Sequence, residues 1–116
     1  MGRWSQSQLR GGAGIRTSPS GFPLSPPEDS EWTSAPAGDQ VISSVVTGTP
    51  PATGWAIQWQ LNAGAWNQEG NVPVSVSPTL GPFSSGDEVD VRAAWFDDAT
   101  SAQLSDYSDI KFNAIP

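Results

Sequence analysis

The chain has 116 residues, with 12 acidic and five basic side chains, a formal net charge of −7, and neither cysteine nor histidine. This length suits one domain. Without cysteine or histidine there is no disulfide framework, no thiolate zinc site and no histidine-dependent triad, so we expect no enzyme, metal or cofactor. The acidic balance argues against a nucleic-acid partner, and no apolar run approaches the roughly 18 residues of a membrane span. The N-terminus opens no apolar stretch, so we also expect no secretory signal.

The first third of the chain differs from the rest in composition. Residues 1–38 contain six of the 12 glycines and five of the 11 prolines, and their larger apolar residues follow neither the strand nor the helix period. Such a segment cannot bury enough apolar area to offset an ordering entropy of about 1–2 kcal/mol per residue. Charge changes at nearly the same place, because residues 1–27 carry three arginines and no acid, whereas residues 28–116 carry two bases and 12 acids.

This composition indicates an extended cationic arm, which is either a solvated tail or a segment that docks on another chain. We interpret it as a docking arm. A tryptophan that fills a pocket of the partner, beside arginines that pair with carboxylates, has the chemistry of a binding hot spot. The residues expected to contact the partner are Arg3, Trp4, Arg10, Ile15, Arg16, Phe22 and Leu24.

The remainder of the chain, 39–116, consists of short β-type segments between turn signals. WAIQWQL (55–61) alternates with period 2, so Trp55, Trp59 and the other apolar residues share one face. EVDVRAAWF (88–96) alternates in the same way. We expect the apolar faces of both segments to form the core.

The other segments have weaker signals. They are QVISSVV (40–46), AWNQ (65–68), VPVSVSP (72–78) and YSDIKFNAI (107–115), with EWTSAP (31–36), which contains Trp32, as a candidate seventh strand. A turn at 69–71 is expected to separate two of them, and the prolines of 72–78 predict a strand at a sheet edge. Six or seven short strands without a helical pattern predict an all-β, antiparallel β-sandwich behind an extended N-terminal arm.

Three segments resemble the fibronectin type III family, which has an immunoglobulin-like β-sandwich. VISSVVTGTPPATGWAIQWQL (41–61) resembles its second and third strands with the loop between them. TLGPFSSGDEVDVRAAWF (79–96) resembles the segment around its corner-packing leucine, here Leu80, and LSDYSDIKF (104–112) resembles its last strand. The resemblance covers residues 31–116 and implies a fibronectin type III-like sandwich.

The alternating-tryptophan strands also resemble small domains of tailed-phage virions. A lone domain behind a Gly/Pro-rich arm is similar to capsid decoration (cement) proteins, whose arms lie on the shell and clasp neighbouring subunits. The resemblance implies a non-enzymatic virion protein, assembled in the host cytoplasm, that binds the major capsid protein or other virion subunits, and it leaves open whether the chain forms homo-oligomers. Alternatives are a tail, neck or fibre-attachment component, a module that binds a host glycan, and a bacterial interaction domain of non-viral origin.

Two aromatic residues of the sandwich are candidate surface contacts. Trp66 lies in a short polar segment, where its ring either binds a carbohydrate or a protein or covers a sheet edge. Phe96 falls on the face opposite Trp95, beside Arg92, and is the second candidate for an exposed contact. The acids lie near loops without the D-x-D-x-D-G spacing of a calcium loop, so we interpret them as a solvated acidic surface.

Overall fold

The chain forms two antiparallel β-sheets, seen in a computed structural model that describes residues 21–38 and 40–116. The strands are β1 (Trp32–Gly38), β2 (Val41–Val46), β3 (Gly54–Leu61), β4 (Trp66–Pro73), β5 (Thr79–Leu80), β6 (Glu88–Phe96) and β7 (Lys111–Ala114). One sheet has the order β1-β2-β5 and the other the order β4-β3-β6-β7. Among the described residues there is no helix, and so none that is long and apolar enough to span a membrane. The prediction of an all-β fold is confirmed.

The core lies between the two sheets and depends mainly on the alternation of β3 and β6. Trp55 and Trp95 are register partners in these strands, and both are fully buried. From the facing sheet, Trp32 of β1 packs edge to face on Trp55, with ring centroids 6.3 Å apart and ring planes at 74°. Leu80 of the short β5 is buried in the same cluster. The predicted inward faces are therefore confirmed. The additional strand predicted at 31–36 is also present, as β1, which brings the number of strands to seven.

A single strand replaces two of the predicted segments. β4 runs through 69–71 as one strand paired with β3, so the turn predicted at 69–71 is wrong. The ladder continues because a bulge opposite Ala56 and Ile57 accommodates one extra residue, Gly70, whose φ is +22°. The strand predicted over 72–78 is also wrong beyond its first proline, where β4 ends, since proline cannot donate to a ladder.

Serine hydroxyls replace part of the ladder ahead of β7. Only part of the strand predicted over 107–115 is a strand, namely β7. Upstream of it, the Oγ of Ser105 accepts a hydrogen bond from the backbone N–H of Trp95 at 2.9 Å, and the Oγ of Ser108 accepts one from Ala93 at 3.0 Å. Side chains thus satisfy buried donors of β6 that would otherwise lack a partner.

Lys111 joins β7 to β1, a strand of the other sheet. Its ammonium donates to the backbone carbonyl of Trp32, and lies 4.5 Å from the centroid of that ring and 3.9 Å from Oδ1 of Asp29. At the same border, the Nδ2 of Asn113 donates to the Oγ of Ser34 at 3.3 Å. Polar side chains therefore connect the two sheets where the first and last strands lie side by side.

Replacing Ser105 with alanine should leave the buried N–H of Trp95 without an acceptor and lower the free energy of unfolding by about 1–3 kcal/mol. Urea denaturation followed by tryptophan fluorescence measures the loss. Ser85→Ala is the matched control, because Ser85 is exposed, and should change the free energy by less than about 0.5 kcal/mol. Equal stability of the two variants would show that the Ser105 hydroxyl is dispensable.

Gly81 and Gly86 provide a second comparison. Their φ angles are +127° and +90°, so alanine is strained at both. A Cβ at Gly81 would lie 2.8 Å from the backbone oxygen of Gln40, whereas one at Gly86 would meet nothing within 4 Å. Gly86→Ala should cost about 1–2 kcal/mol of unfolding free energy and Gly81→Ala about 3 kcal/mol or more, measured by the same denaturation. Similar losses would mean that the backbone near Gln40 moves freely.

Candidate interaction face

The outer face of the four-stranded sheet carries the candidate site. Its side chains alternate with the core residues of the same strands, because successive residues of a strand point to opposite sides. The register places Gln58 of β3 between Arg92 of β6 and Gln68 of β4. We call this surface the outer face; its central members are Gln58, Gln60, Trp66, Gln68, Asp90 and Arg92.

Arg92 lies at the centre of the outer face and is held by three neighbours. Its Nε donates to Oε1 of Gln58 at 2.8 Å, and its Cζ lies 3.9 Å from the ring centroid of Trp66 and 5.3 Å from that of Tyr107. Trp66 belongs to β4, two strands away, so its ring reaches across β3 to meet the guanidinium. Each cation–π contact of this kind contributes about 0.5–2 kcal/mol. The guanidinium is therefore fixed in position by the folded chain.

Arg92 has no acidic partner in the part of the chain that the structure describes. It is one of only two basic residues among residues 28–116, which carry 12 acids. The ion pair found in the described sandwich is that between Lys111 and Asp29. Gln58 accepts the hydrogen bond from Nε of Arg92, and no described residue accepts one from Nη1 or Nη2. Within residues 21–38 and 40–116, the outer face thus presents a cation without an acidic partner on a domain of negative net charge.

Tyr107, the only tyrosine of the chain, connects Arg92 to a second small cluster. It packs on an apolar group at the other end of the outer face, formed by Ala56, Ala94 and Phe96. It also lines a cleft of about 370 Å³ together with residues 25–29 and Asp109. The pKa of its phenol is raised, because burial outweighs the opposite effect of the Arg92 guanidinium.

Two exposed apolar side chains lie on the β7 side of the outer face. Phe112 is 60% exposed and is the register partner of Asp90. Ile110, two residues earlier, is 51% exposed. Large apolar side chains with this exposure extend the face beyond Arg92, on the side away from Trp66.

The structure separates the two predicted aromatic contacts of the sandwich. Trp66 is half-buried on the outer face, whereas Phe96 is only 6% exposed, so the expectation that Phe96 is exposed is wrong. Tyr107 packs on Phe96 and covers it. Along β3, Trp66 pairs with Gln60 and Phe96 with Gly54, which are about 20 Å apart at about 3.3 Å per residue. These two aromatic residues do not form one site.

The predicted arm contacts fall partly within the described residues. Leu24 packs against the core, and its backbone N–H donates to the carbonyl of Leu104 at 2.9 Å. Phe22 is half-buried. The remaining predicted contacts lie outside the described residues: Arg3, Trp4, Arg10, Ile15 and Arg16.

Sequence reasoning missed Arg92 and Tyr107 as members of the site. Their contacts bring together β3, β4, β6 and the segment before β7, which are distant in the chain. The available signal was compositional, since Arg92 is an isolated base at an outward position of a strongly alternating strand. Only the register shows which side chains surround it.

The described residues contain no recognisable metal site, and two sequence comparisons found no match. Within the described residues, no group of three or more acidic side chains converges as a metal site would. No protein-family model matches the chain, and no curated protein sequence matches it. The outer face is therefore interpreted from its own geometry.

Replacing Arg92 with glutamine should raise the pKa of Tyr107 further, because the cation that favours the phenolate is removed. Tyrosinate absorbance in an alkaline titration reports this residue alone, since the chain has one tyrosine. Lys111→Gln removes the same charge from a side chain that does not contribute to the shift of Tyr107, and should change its pKa much less. Equal shifts in the two variants would contradict the local contact.

The same raised pKa has a consequence for stability. The folded state binds the phenolic proton of Tyr107 more tightly than the unfolded state does. Its contribution to the free energy of unfolding is therefore fully present below the pKa that Tyr107 has in the unfolded chain. It is lost as the pH rises through the folded pKa of Tyr107, and the urea midpoint should fall over that range.

Proposed function

We propose that the chain is a non-enzymatic structural protein of a tailed-phage virion. In this proposal it acts as a capsid decoration protein whose N-terminal arm docks on the shell and whose fibronectin type III-like sandwich projects outward. A tail, neck or fibre-attachment position, which uses the same arm chemistry, is the second placement. The support comes from the strand order and from the distribution of charge and packing along the chain.

The strand order supports the fibronectin type III-like part of the proposal. The chain passes between the sheets three times, from β2 to β3, from β4 to β5 and from β5 to β6. Each sheet therefore combines strands that are distant in sequence, as the Greek-key connections of immunoglobulin-like sandwiches do.

The observation that carries the proposed role is the separation of charge and packing. Residues 1–27 have a charge of +3, from three arginines, and residues 28–116 have a charge of −10, from two bases and 12 acids. The described core cluster and the side chains packed on it come from Leu24 to Ile115. A cationic segment before a sandwich of opposite sign is suited to engage a second, acidic surface. On a lattice, many such weak contacts act together and exceed any single affinity.

The glycan-binding alternative receives less support. It relied on Trp66 and Phe96, and Phe96 is buried. The remaining aromatic ring, Trp66, already has a guanidinium 3.9 Å from its centroid. Sugar binding by this face would therefore compete with an existing stack.

Deleting residues 1–20 tests the role of the arm. The variant should keep the urea midpoint of the full chain, because the described core begins at Leu24. It should lose cosedimentation with purified head shells of the phage that encodes it by at least about tenfold, since hot-spot contacts dominate binding. Binding of the full chain should weaken with salt, as expected for arginine–carboxylate pairs near a surface.

Two single substitutions sharpen the test. Trp4→Ala should weaken shell binding, whereas Trp66→Ala, a matched loss of one indole on the sandwich, should leave it unchanged. Shell binding that survives the deletion would contradict the docking arm. Binding to purified tails instead of heads would contradict the decoration role and support the second placement.

A further inference from the structure

We propose that the outer face of the sandwich docks a partner protein that places one carboxylate, bordered by apolar side chains, on Arg92. The residues that carry this contact are Arg92 of β6 and its neighbours on β3 and β4. The inference goes beyond the decoration role and holds whether or not the arm binds a shell.

The first argument is the unpaired guanidinium. Arg92 lies in a domain with a charge of −10, and Asp90 is only two residues away on the same strand face. Even so, the described side chains that contact its guanidinium are Gln58 and two aromatic rings, none of which is acidic. Nη1 and Nη2 remain as donors in a planar fork, which matches the two oxygens of a carboxylate.

The second argument is preorganisation. Gln58 holds the Nε of Arg92 at 2.8 Å, and the Nε2 of Gln58 donates to Oε1 of Gln68 at 3.5 Å. The rings of Trp66 and Tyr107 hold the guanidinium from the sides. An arginine fixed in this way loses little conformational freedom on binding, so more of the interaction appears as affinity.

The third argument identifies a protein as the occupant. An arginine flanked by tryptophan and tyrosine, with Ile110 and Phe112 exposed beside it, has the composition of the centre of a protein interface. A polyanion would be repelled by the acidic domain around this single cation, and a second copy of the chain carries the same net charge of −7. A partner with one acid among apolar side chains forms an ion pair with Arg92 without this repulsion.

The experiment is a selection of random peptides against the full chain, followed by binding measurements of the enriched peptides on the full chain and on Arg92→Gln. The enriched peptides should contain an Asp or Glu flanked by aromatic or aliphatic residues. They should bind Arg92→Gln at least about tenfold more weakly, as is usual when one member of a hydrogen-bonded charge pair is removed. Changing the acid of the peptide to its amide should produce a similar loss.

Two further variants serve as controls. Arg92→Lys keeps the charge but not the fork, so binding should still weaken. If Arg92→Gln does not fold, peptide binding to Arg92→Lys is compared with binding to the full chain instead. Lys111→Gln removes the other base of the sandwich, which lies at the β1–β7 border, and should bind the peptides as the full chain does.

Other results would overturn the inference. These are enrichment of peptides without an acid, equal binding by Arg92→Gln or Arg92→Lys, and no enrichment at all. A neutral oligosaccharide that binds the full chain and Arg92→Gln equally, but not Trp66→Ala, would assign the face to a sugar. The arm-deletion variant should still bind the selected peptides, so failure of the decoration role and failure of this inference are distinguishable.

Discussion

The antiparallel pairing of β3 with β6 determines both faces of the molecule. Its register runs from Gly54 opposite Phe96 to Leu61 opposite Val89. Because side chains alternate with period 2, a slip of one residue would expose the core tryptophans and turn Arg92 inward. Burial of a tryptophan contributes about 4–6 kcal/mol at about 25 cal/mol per Å², whereas an unpaired buried guanidinium is costly. The core therefore determines the register, and the register places Arg92 on the outer face.

Sequence reasoning was accurate where one strong period covers a whole strand. The segments 55–61 and 88–96 carry that pattern, and their inward and outward faces were predicted residue by residue. The pattern fails at Gly70, where local turn signals predict a break but a bulge continues the ladder. It also fails at Ser105 and Ser108, which have the composition of a polar loop yet satisfy buried backbone donors. Such compensation depends on which residue lies opposite, and local patterns do not contain it.

The candidate site was harder to predict than the fold for a related reason. Trp66 and Phe96 were chosen for their chemistry, but exposure decides whether an aromatic side chain can make a contact. Tyr107 covers Phe96 from a segment that follows β6, while Trp66 extends across β3 to Arg92. Neither arrangement follows from alternation alone. The two bases of the sandwich illustrate the same point, because Lys111 connects the sheets at one border whereas Arg92 has no acidic partner among the described residues.

The border between β1 and β7 has a mechanical consequence. These strands are the first and last of the sandwich, they lie side by side, and they belong to different sheets. Between them, Lys111 and Asn113 contribute side-chain hydrogen bonds rather than a backbone ladder. A force that pulls the two strands apart would therefore load a few polar contacts one after another instead of shearing a ladder as a unit. Under tension, these polar contacts would break before the continuous β3–β6 ladder does.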